Sequence, residues 1–117
     1  LIEVYNNGEL SRDFTFIDDV VEAVLRIHDS VLDVYSSVYN IGGGNPVSLL
    51  SFIKTLEIYS GRKVRKKMLP MQPGDVYKTY ANNFRFERDF GKMDFTPLDK
   101  GMRLFVDWYF NYHSTDE

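Results

Sequence analysis

Four side chains in this 117-residue chain are of types that could bind a polar ligand. Arg12 follows a Gly-containing turn, and its planar guanidinium presents a fork of N–H donors that suits a phosphate or diphosphate. Tyr5 ends a strand-like run and could stack on an aromatic base. Gln72 and Asp75 belong to a tight Pro-Gly turn, where an amide and a carboxylate suit sugar hydroxyls.

Each of these residues also has a structural interpretation that needs no ligand. Arg12 could form an ion pair with Asp13 or Asp18. Tyr5 could lie at the edge of the core, and Asp75 could simply cap its turn. Taken singly, the residues favour these structural interpretations; taken together, they describe a site for a sugar nucleotide that contains no catalyst.

Three consecutive glycines, Gly42 to Gly44, stand before a predicted helix in a position where phosphate-binding loops occur. Their spacing does not match such a loop. The dinucleotide motif needs G-x-G-x-x-G, whereas position 47 is Val, and the Gly-Lys-Ser/Thr ending of a P-loop is absent. Pro46 also removes an amide donor close to the helix start. The pattern therefore favours a structural turn.

No acid–base centre can be assembled from the sequence. His28 and His113 are far apart, and neither has a histidine or carboxylate at ligand spacing, so we predict no metal site. Nucleophile-elbow and H-E-x-x-H motifs are absent, and we expect no Tyr-x-x-x-Lys catalytic pair. The chain is therefore expected to bind a ligand without catalysing a reaction.

The composition narrows the class of partner. Hydrophobic residues make up 44% and aromatic residues 15% of the chain, which is enough for a core. The formal net charge of −3 does not favour nucleic acid, and no apolar run approaches the ~20 residues that span a membrane. The absence of cysteine excludes disulfides and fits a reducing, cytoplasmic environment. A basic run is interpreted as a solvated strand edge or turn: Arg62, Lys63, Arg65, Lys66 and Lys67.

Alternating strand and helix signals predict an α/β fold. Predicted extended segments are Leu1–Tyr5, Phe14–Ile17, Val38–Ile41, Val64–Leu69 and Val76–Ala81, with a turn at Asn6-Asn7-Gly8. Three helices are predicted to begin after the N-caps Asp18, Ser48 and Thr96. The first of them should end near Ser30 and the second near Gly61. A further short helix is predicted to cover Phe84–Phe90.

Apolar stripes on the predicted helices are broad for so short a chain. The stripes consist of Val20, Val21, Val24, Leu25 and His28; Leu49, Leu50, Ile53 and Leu56; and Met102, Phe105, Trp108, Tyr109 and Tyr112. The chain also begins at Leu1, directly in a strand-like run. We therefore expect a piece of a longer polypeptide with an incomplete core, which could self-associate to cover its apolar surface.

Four runs of the sequence resemble, in this order, the C-terminal third of NAD-dependent epimerase/dehydratase enzymes, which are extended short-chain dehydrogenases that act on sugar nucleotides. The runs are VYNNGELSRDFTFIDDVVEAV, VYNIGGGNPVSLLSFIKTLE, MLPMQPGDVYKTYAN and GMRLFVDWYFNYH. The resemblance covers essentially the whole chain, and its most specific parts are R-D-F-T-F-I-D-D and P-M-Q-P-G-D-V. The MQPGDV and FVDWY segments most resemble the UDP-glucuronate 4-epimerase branch.

The resemblance implies a Rossmann-type parent enzyme with two parts. An N-terminal Rossmann domain would hold NAD and supply the Ser/Thr and Tyr-x-x-x-Lys catalytic set. Residues 1–117 would be a single fragment that contains the last Rossmann-associated elements and the substrate-binding lobe. The implied chemistry is transient oxidation of the sugar at C4 by NAD, followed by return of the hydride to the other face. The fragment alone is expected to bind no NAD and to be inactive.

The resemblance also implies roles for the four candidate residues. Arg12 matches an arginine that contacts the substrate diphosphate, and Tyr5 matches an aromatic position that packs on the uracil. Asp75 matches the acid near the ribose. Gln72 stands where UDP-galactose epimerases carry a second phosphate-binding arginine, which fits the glucuronate branch. The implied partners are a UDP-sugar and the N-terminal domain, with neither nucleic acid nor membrane.

The chain departs from the family pattern in two places. The run Ala81-Asn82-Asn83-Phe84-Arg85 replaces the usual A-D-x-S-K, and residues 90–97 replace the usual Leu-Gly-Tyr-x-Pro. Both departures lie in a predicted surface helix and its following loop, so they bear on the subfamily more than on the fold. Two alternatives stay open: a nucleotide-sugar dehydratase or decarboxylase fragment, and a non-enzymatic α/β binding module that closes its own core.

Overall fold

Short strands alternate with longer helices along the chain, as the predicted α/β class requires. The computed structural model describes residues 1–30 and 37–114. The strands in this part are β1 (Ile2–Val4), β2 (Ser11–Arg12), β3 (Val47–Ser48) and β4 (Lys66–Met68). The α-helices are α1 (Ile17–His28), α2 (Leu49–Ser60), α3 (Phe84–Phe90) and α4 (Leu98–His113).

The strands form two small pairs. Strands β1 and β4 are parallel, with Val4 opposite Met68, and this confirms the strands predicted at both positions. Strands β2 and β3 are antiparallel, with Arg12 opposite Val47. On its other side, Ser11 forms an isolated parallel bridge with Lys78, which lies in the predicted extended segment 76–81.

A tight 3₁₀ turn follows β1, as the Asn-Asn-Gly sequence predicted. Asn6 and Asn7 have φ of 47° and 50°, and Gly8 has φ of 83°. Asn and Gly tolerate this left-handed region better than other residues. A Cβ atom at Gly8 would lie 2.6 Å from the Leu50 Cδ2 atom, so the turn lies tightly against α2.

Local capping signals define α2 and α3. The Ser48 Oγ atom accepts a hydrogen bond from the Ser51 amide at 3.1 Å, and Gly61 ends α2 with φ of 65°. Helix α3 spans the predicted Phe84–Phe90 and is followed by Gly91. These predictions are confirmed.

The predicted N-caps of α1 and α4 are wrong. Helix α1 begins at Ile17, so Asp18 lies inside its first turn, and no side-chain cap hydrogen bond forms there. The buried Asp19 carboxylate instead accepts hydrogen bonds from the Thr96 amide and hydroxyl, both at 2.8 Å. Because Thr96 is engaged by Asp19, Pro97 occupies the N-cap position of α4 without a side-chain cap.

Two predicted strands, at 14–17 and 38–41, are not formed. Phe14 instead stacks on Phe52, with the ring centroids 4.0 Å apart. Tyr39 and Ile41 pack against a buried cluster that includes Ala23. These β-prone residues thus contribute side chains to the interior while their backbone stays outside the strand pairs, because packing overrides strand propensity.

The core is small relative to the chain. Ala23 and Phe86 are fully buried, and Met93, Phe90 and Phe95 pack with them. A second group of buried side chains joins α2 to α4: Ile53, Met102 and Val106. The radius of gyration is 17.2 Å, whereas a compact domain of this length has about 13 Å.

Large apolar side chains remain exposed on two helices. On α1, Val24 and Leu25 are 57% and 52% exposed, and on α4, Trp108 is 54% exposed. The predicted stripes of these helices therefore exist, but much of their surface faces outward. Of the predicted α2 stripe, Ile53 is buried whereas Leu50 is exposed.

The basic run lies at a solvated edge, as predicted. Lys66 and Lys67 pair with Glu57 and Glu3, with N–O distances of 2.9 and 3.1 Å, and the Lys63 side chain is 93% exposed.

Within the described ranges, we found no helix with the length and apolar character needed to cross a membrane.

Replacing Asp19 with Ala is expected to destabilise the chain. The change leaves the half-buried Thr96 amide and hydroxyl without their carboxylate acceptor, so the free energy of unfolding should fall by roughly 2–4 kcal/mol. Urea titration followed by circular dichroism measures the change. The matched control is Asp18→Ala, which removes an exposed carboxylate one position earlier. Equal free energies of unfolding for the two variants would contradict a stabilising role of the Asp19–Thr96 hydrogen bonds.

Glu57 is expected to make stability depend on pH. The Val64 amide and then Lys66 hydrogen-bond its carboxylate, which lowers the pKa of Glu57 below its ordinary value of 4.5. The ionised group therefore stabilises the fold fully above pH 4.5, and this stabilisation is lost as the pH falls through the lower folded-state pKa.

The stability difference between the wild type and Glu57→Gln should accordingly shrink as the pH is lowered from 7 into the acid range. Urea midpoints measured across that range test this expectation. Glu9→Gln serves as the control, since Glu9 is exposed. A difference that stays constant or grows at low pH would refute the role of Glu57.

Candidate functional site

Arg12 and Asp75, which are 63 residues apart in sequence, lie side by side in the structure. An Arg12 Nη2–Asp75 Oδ1 ion pair of 2.6 Å joins them, and their side chains are 24% and 28% exposed. The Arg12 Nη1 atom donates to the Ser11 carbonyl at 2.9 Å and to the Tyr77 carbonyl at 3.4 Å. Arg12 therefore pairs with neither Asp13 nor Asp18, the two local partners that the sequence suggested.

The turn that carries Asp75 has the predicted form. The Asp75 amide donates to the Gln72 carbonyl at 3.2 Å, and Gly74 has φ of 84°. The Asp75 Oδ1 atom also accepts from the Val76 amide at 2.8 Å, so Asp75 caps its own turn while it pairs with Arg12. The structural and functional interpretations of Asp75 are thus compatible.

Tyr5 and Gln72 are less closely connected to this pair. The Tyr5 hydroxyl donates to the Glu3 carboxylate at 3.1 Å, and the ring is half-buried. The Gln72 side chain is exposed near the turn. Within residues 1–30 and 37–114, no hydrogen bond joins either side chain to Arg12.

The arrangement of Arg12 and Asp75 suits a ligand that carries both an anion and hydroxyl groups. A guanidinium in this partly exposed position can donate to phosphate oxygens, and the adjacent carboxylate can accept from hydroxyls. A ligand phosphate would share or replace the contact between Arg12 and Asp75. The pair therefore offers two groups that could bind such a ligand.

The three glycine amides are occupied by side chains of the chain itself. The Gly42 amide donates to Asn83 Oδ1 at 3.0 Å, and the Gly43 amide donates to Thr15 Oγ1 at 3.2 Å. The Gly44 amide donates to Asp13 Oδ2 at 3.1 Å. The loop is therefore a structural turn, as favoured from the sequence, and it does not present these amides to a phosphate.

Close approach of Asp13 and Ala81 explains why two of these positions are glycine. A Cβ atom at Gly42 would lie 2.4 Å from the Ala81 Cβ atom and 3.1 Å from Asp13 Oδ2. A Cβ atom at Gly43 would lie 3.1 Å from Asp13 Oδ1. The Asp13 Oδ2 atom also accepts from the Ala81 amide at 2.9 Å, so one carboxylate joins the glycine loop to the segment around Ala81.

These connecting residues were not predicted as part of the site. Asp13 was considered only as a partner of Arg12, and Asn83 only as a departure from the family pattern. Asn83 in fact forms a two-way contact with Gly42, since its Nδ2 atom also donates to the Gly42 carbonyl at 2.6 Å. No local spacing signals contacts that span 41 or more residues.

One Tyr-x-x-x-Lys spacing does occur in the chain, from Tyr59 to Lys63, so the expectation about this motif needs correction. Helix α2 ends at Ser60, and Gly61 is left-handed, so Lys63 does not lie one helical turn beyond Tyr59. A hydrogen bond to Asp99, followed by desolvation, raises the pKa of Tyr59, which opposes use of this phenol as a base.

The histidines do not form a metal centre. His28 lies exposed at the end of α1, and His113 packs against Tyr109 with ring centroids 4.4 Å apart. No group of three potential His, Asp or Glu ligands comes together in the part of the chain that the structure describes.

Two open cavities lie near the site but do not contain the Arg12–Asp75 pair. One, of about 500 Å³, borders Gly43, Gly44 and Tyr80. The other, of about 320 Å³, is apolar and lies between Phe14 and Phe105. Neither cavity is lined by Arg12 or Asp75, whose side chains are 24% and 28% exposed.

The chain is similar in sequence to known proteins. A profile described as "NAD dependent epimerase/dehydratase family" matches residues 1–42. An uncharacterized protein of Methanocaldococcus jannaschii is 41% identical over 108 residues, covering 92% of this chain and 32% of that protein. A probable UDP-glucuronate 4-epimerase of Rhizobium meliloti is 37% identical over 125 residues, covering 92% of this chain and 37% of that protein.

The fold is similar to that of a solved enzyme. A UDP-glucuronic acid 4-epimerase from Bacillus cereus, in complex with UDP-glucuronic acid and NAD, matches with a TM-score of 0.82 and 26% identity. The match covers 94% of this chain and 35% of that chain. The present chain therefore spans about a third of the length of these relatives.

Replacing Gly42 with Ala should test the close packing of the glycine loop. The new methyl group would collide with the Ala81 methyl group and should lower the free energy of unfolding by about 1–3 kcal/mol. Adding Ala81→Gly removes the colliding group and should recover part of the loss, which a double-mutant cycle measures. Purely additive effects of the two substitutions would show that the two positions are not in contact.

Proposed function

Because the chain belongs to the NAD dependent epimerase/dehydratase family, we propose that it is the nucleotide-sugar-binding part of an epimerase that acts on UDP-glucuronate. The observation that carries the proposal is the contact between Arg12 and Asp75. These residues come from two separate motifs of the predicted site, and the fold brings them to one surface. The names of the similar proteins supply the substrate class.

In this proposal each of the four residues has a distinct task. Arg12 holds the diphosphate through its guanidinium, since charge-assisted and often bidentate hydrogen bonds suit phosphate oxygens. Asp75 accepts hydrogen bonds from the ribose hydroxyls. Tyr5 packs on the uracil ring, and Gln72 adds a neutral polar contact beside the turn. The half-buried position of the Tyr5 ring leaves part of it available for stacking.

The redox chemistry of the proposed epimerisation at C4 of the sugar would be supplied by NAD held elsewhere in a parent enzyme. The described residues do not fit this cofactor, because the three glycine amides that could hold a pyrophosphate are bonded to Asn83, Thr15 and Asp13. We therefore assign the cofactor and the catalytic groups to the rest of a parent enzyme. The task of this chain is to bind and orient the substrate, and alone it should not turn it over.

The outward apolar face of α1 supports this division into two parts. Val21, Val24 and Leu25 are about half exposed and lie three and four residues apart on one side of the helix, so they form a patch and are not scattered. Relatives about three times as long have further chain to cover such a face. In this proposal residues 1–117 form one unit that packs against a separate NAD-binding domain, and without it the chain self-associates.

Titration of UDP into the chain tests the proposal. Arg12→Ala should weaken binding by about 1.5–3 kcal/mol, because a charge-assisted phosphate contact is lost. Isothermal calorimetry measures the dissociation constants. Arg88→Ala is the matched control, since Arg88 is an exposed arginine that pairs with Asp89 at 2.6 Å.

Two results would count against this function. If the wild type and Arg12→Ala bind UDP equally, the diphosphate does not lie at Arg12. If Arg88→Ala weakens binding as much as Arg12→Ala does, the attraction is a general effect of charge. A salt titration of the wild type separates these cases further, because general attraction is screened more strongly than a partly buried contact.

A further inference from the structure

The segment that carries Asp75 runs alongside residues 11–13 and is attached to them at several points. The hydrogen bonds and ion pair between the two segments are Arg12 to Asp75 (2.6 Å), Arg12 to the Tyr77 carbonyl (3.4 Å), Ser11 amide to Tyr77 carbonyl (2.9 Å), Thr79 amide to Ser11 carbonyl (3.2 Å), Asp13 amide to Thr79 Oγ1 (3.0 Å) and Ala81 amide to Asp13 Oδ2 (2.9 Å). Asp75 and Ala81 are thus the two ends of one fastened segment.

Asp13 holds the far end of this segment and a second element as well. Its Oδ2 atom accepts from both the Ala81 and the Gly44 amides. Hydrogen bonds from N–H groups to a carboxylate are about twice as strong as those between neutral groups, so this end is fixed firmly. The Oδ1 atom is buried and has no hydrogen-bond partner among residues 1–30 and 37–114.

We propose that Asp13 is a positioning residue for the diphosphate site: by holding the Gly44 and Ala81 amides it sets the segment 75–81 so that Asp75 meets Arg12. The proposal deepens the function proposed above and depends on it for the identity of the ligand. Asp13 does not itself contact the substrate. Its carboxylate oxygens are used or buried inside the protein, and a direct contact between its negative charge and a phosphate would be repulsive.

Arg12 and Asp13 are neighbours in sequence, but they contact opposite ends of the segment 75–81. One side chain reaches Asp75 at the start of the segment, and the next reaches Ala81 at its end. A shift at Ala81 is therefore transmitted along a short, hydrogen-bonded stretch to Asp75 and Tyr77, which both contact the Arg12 guanidinium. Loss of the Asp13 carboxylate should loosen the ligand-binding pair without removing either member.

The first test is a double-mutant cycle with UDP as the probe. Asp13→Ala should weaken UDP binding about 10-fold, the loss expected for one charge-assisted contact. In the Arg12→Ala background the same change should have almost no further effect, because the residue that Asp13 positions is already gone. Asp18→Ala, a neighbouring exposed carboxylate, should leave binding unchanged. Full additivity of Asp13→Ala and Arg12→Ala would overturn the proposal.

The second test needs no ligand and uses the Val76 amide, which donates to Asp75 Oδ1 at 2.8 Å. Asp13→Ala should shift the NMR signal of this amide and speed its hydrogen exchange, although no hydrogen bond joins Asp13 to Val76 within residues 1–30 and 37–114. A purely local role would change only the signals of Gly44, Ala81 and their neighbours. An unchanged Val76 signal would therefore overturn the proposal, whatever the UDP result.

The two tests separate this proposal from the function on which it rests. If the wild type does not bind UDP but Val76 responds to Asp13→Ala, the ligand assignment fails and the positioning role stands. If circular dichroism shows that Asp13→Ala is unfolded, Asp13→Asn replaces it in both tests, because its neutral amide oxygen can still accept from the two backbone amides but only about half as strongly as the carboxylate does. Asp13→Asn should keep the fold and give smaller shifts in the same direction; its having no effect on Val76 would contradict the positioning role.

Discussion

The Asp13 carboxylate, which accepts hydrogen bonds from the Gly44 and Ala81 amides, is the interaction on which the geometry of the candidate site depends. It joins three parts of the chain that are 31 and 68 residues apart. Regular strand pairing could not do this alone, because the β2–β3 pair contains only two residue pairs. A single carboxylate oxygen that accepts from two backbone amides thus makes connections that a longer sheet would make elsewhere.

Glycine at positions 42 and 43 fits the close packing of this loop against Ala81 and the same carboxylate. A loop that wraps around Asp13 and lies against Ala81 has no room for side chains at these positions. A run of glycines before a helix is a place where phosphate-binding loops occur, but here the three amides are bonded to side chains of the protein itself: Asn83, Thr15 and Asp13.

The small core and the exposed apolar faces of two helices are two aspects of the same packing. Helices α1 and α4 each bury one narrow strip, at Ala23 and at Met102 and Val106, and leave most of their other apolar residues exposed. The radius of gyration of 17.2 Å reflects this open packing. The Arg12–Asp75 pair, by contrast, is only partly exposed, at 24% and 28% of the two side chains.

The amino-acid sequence by itself determined the elements whose causes are local. Ser48 and Gly61 delimit α2, Asn6 and Asn7 form the left-handed turn with Gly8, and α3 spans the expected residues. Each of these features depends on backbone geometry within a few positions, which neighbouring residue types specify directly. The residue types at the candidate site, an arginine and a carboxylate in motif-like surroundings, were likewise recognisable before the fold was known.

Tertiary structure alone decided which groups meet. The sequence could not show that the Thr96 amide and hydroxyl donate to Asp19 instead of capping α4. Nor could it show that Arg12 pairs with Asp75 and not with one of two carboxylates that are closer in sequence. A polar group bonds to whichever partner the packed chain brings within about 3 Å, and that partner can lie at any separation in sequence. Local spacing therefore specified helices and turns, whereas long-range packing specified the site.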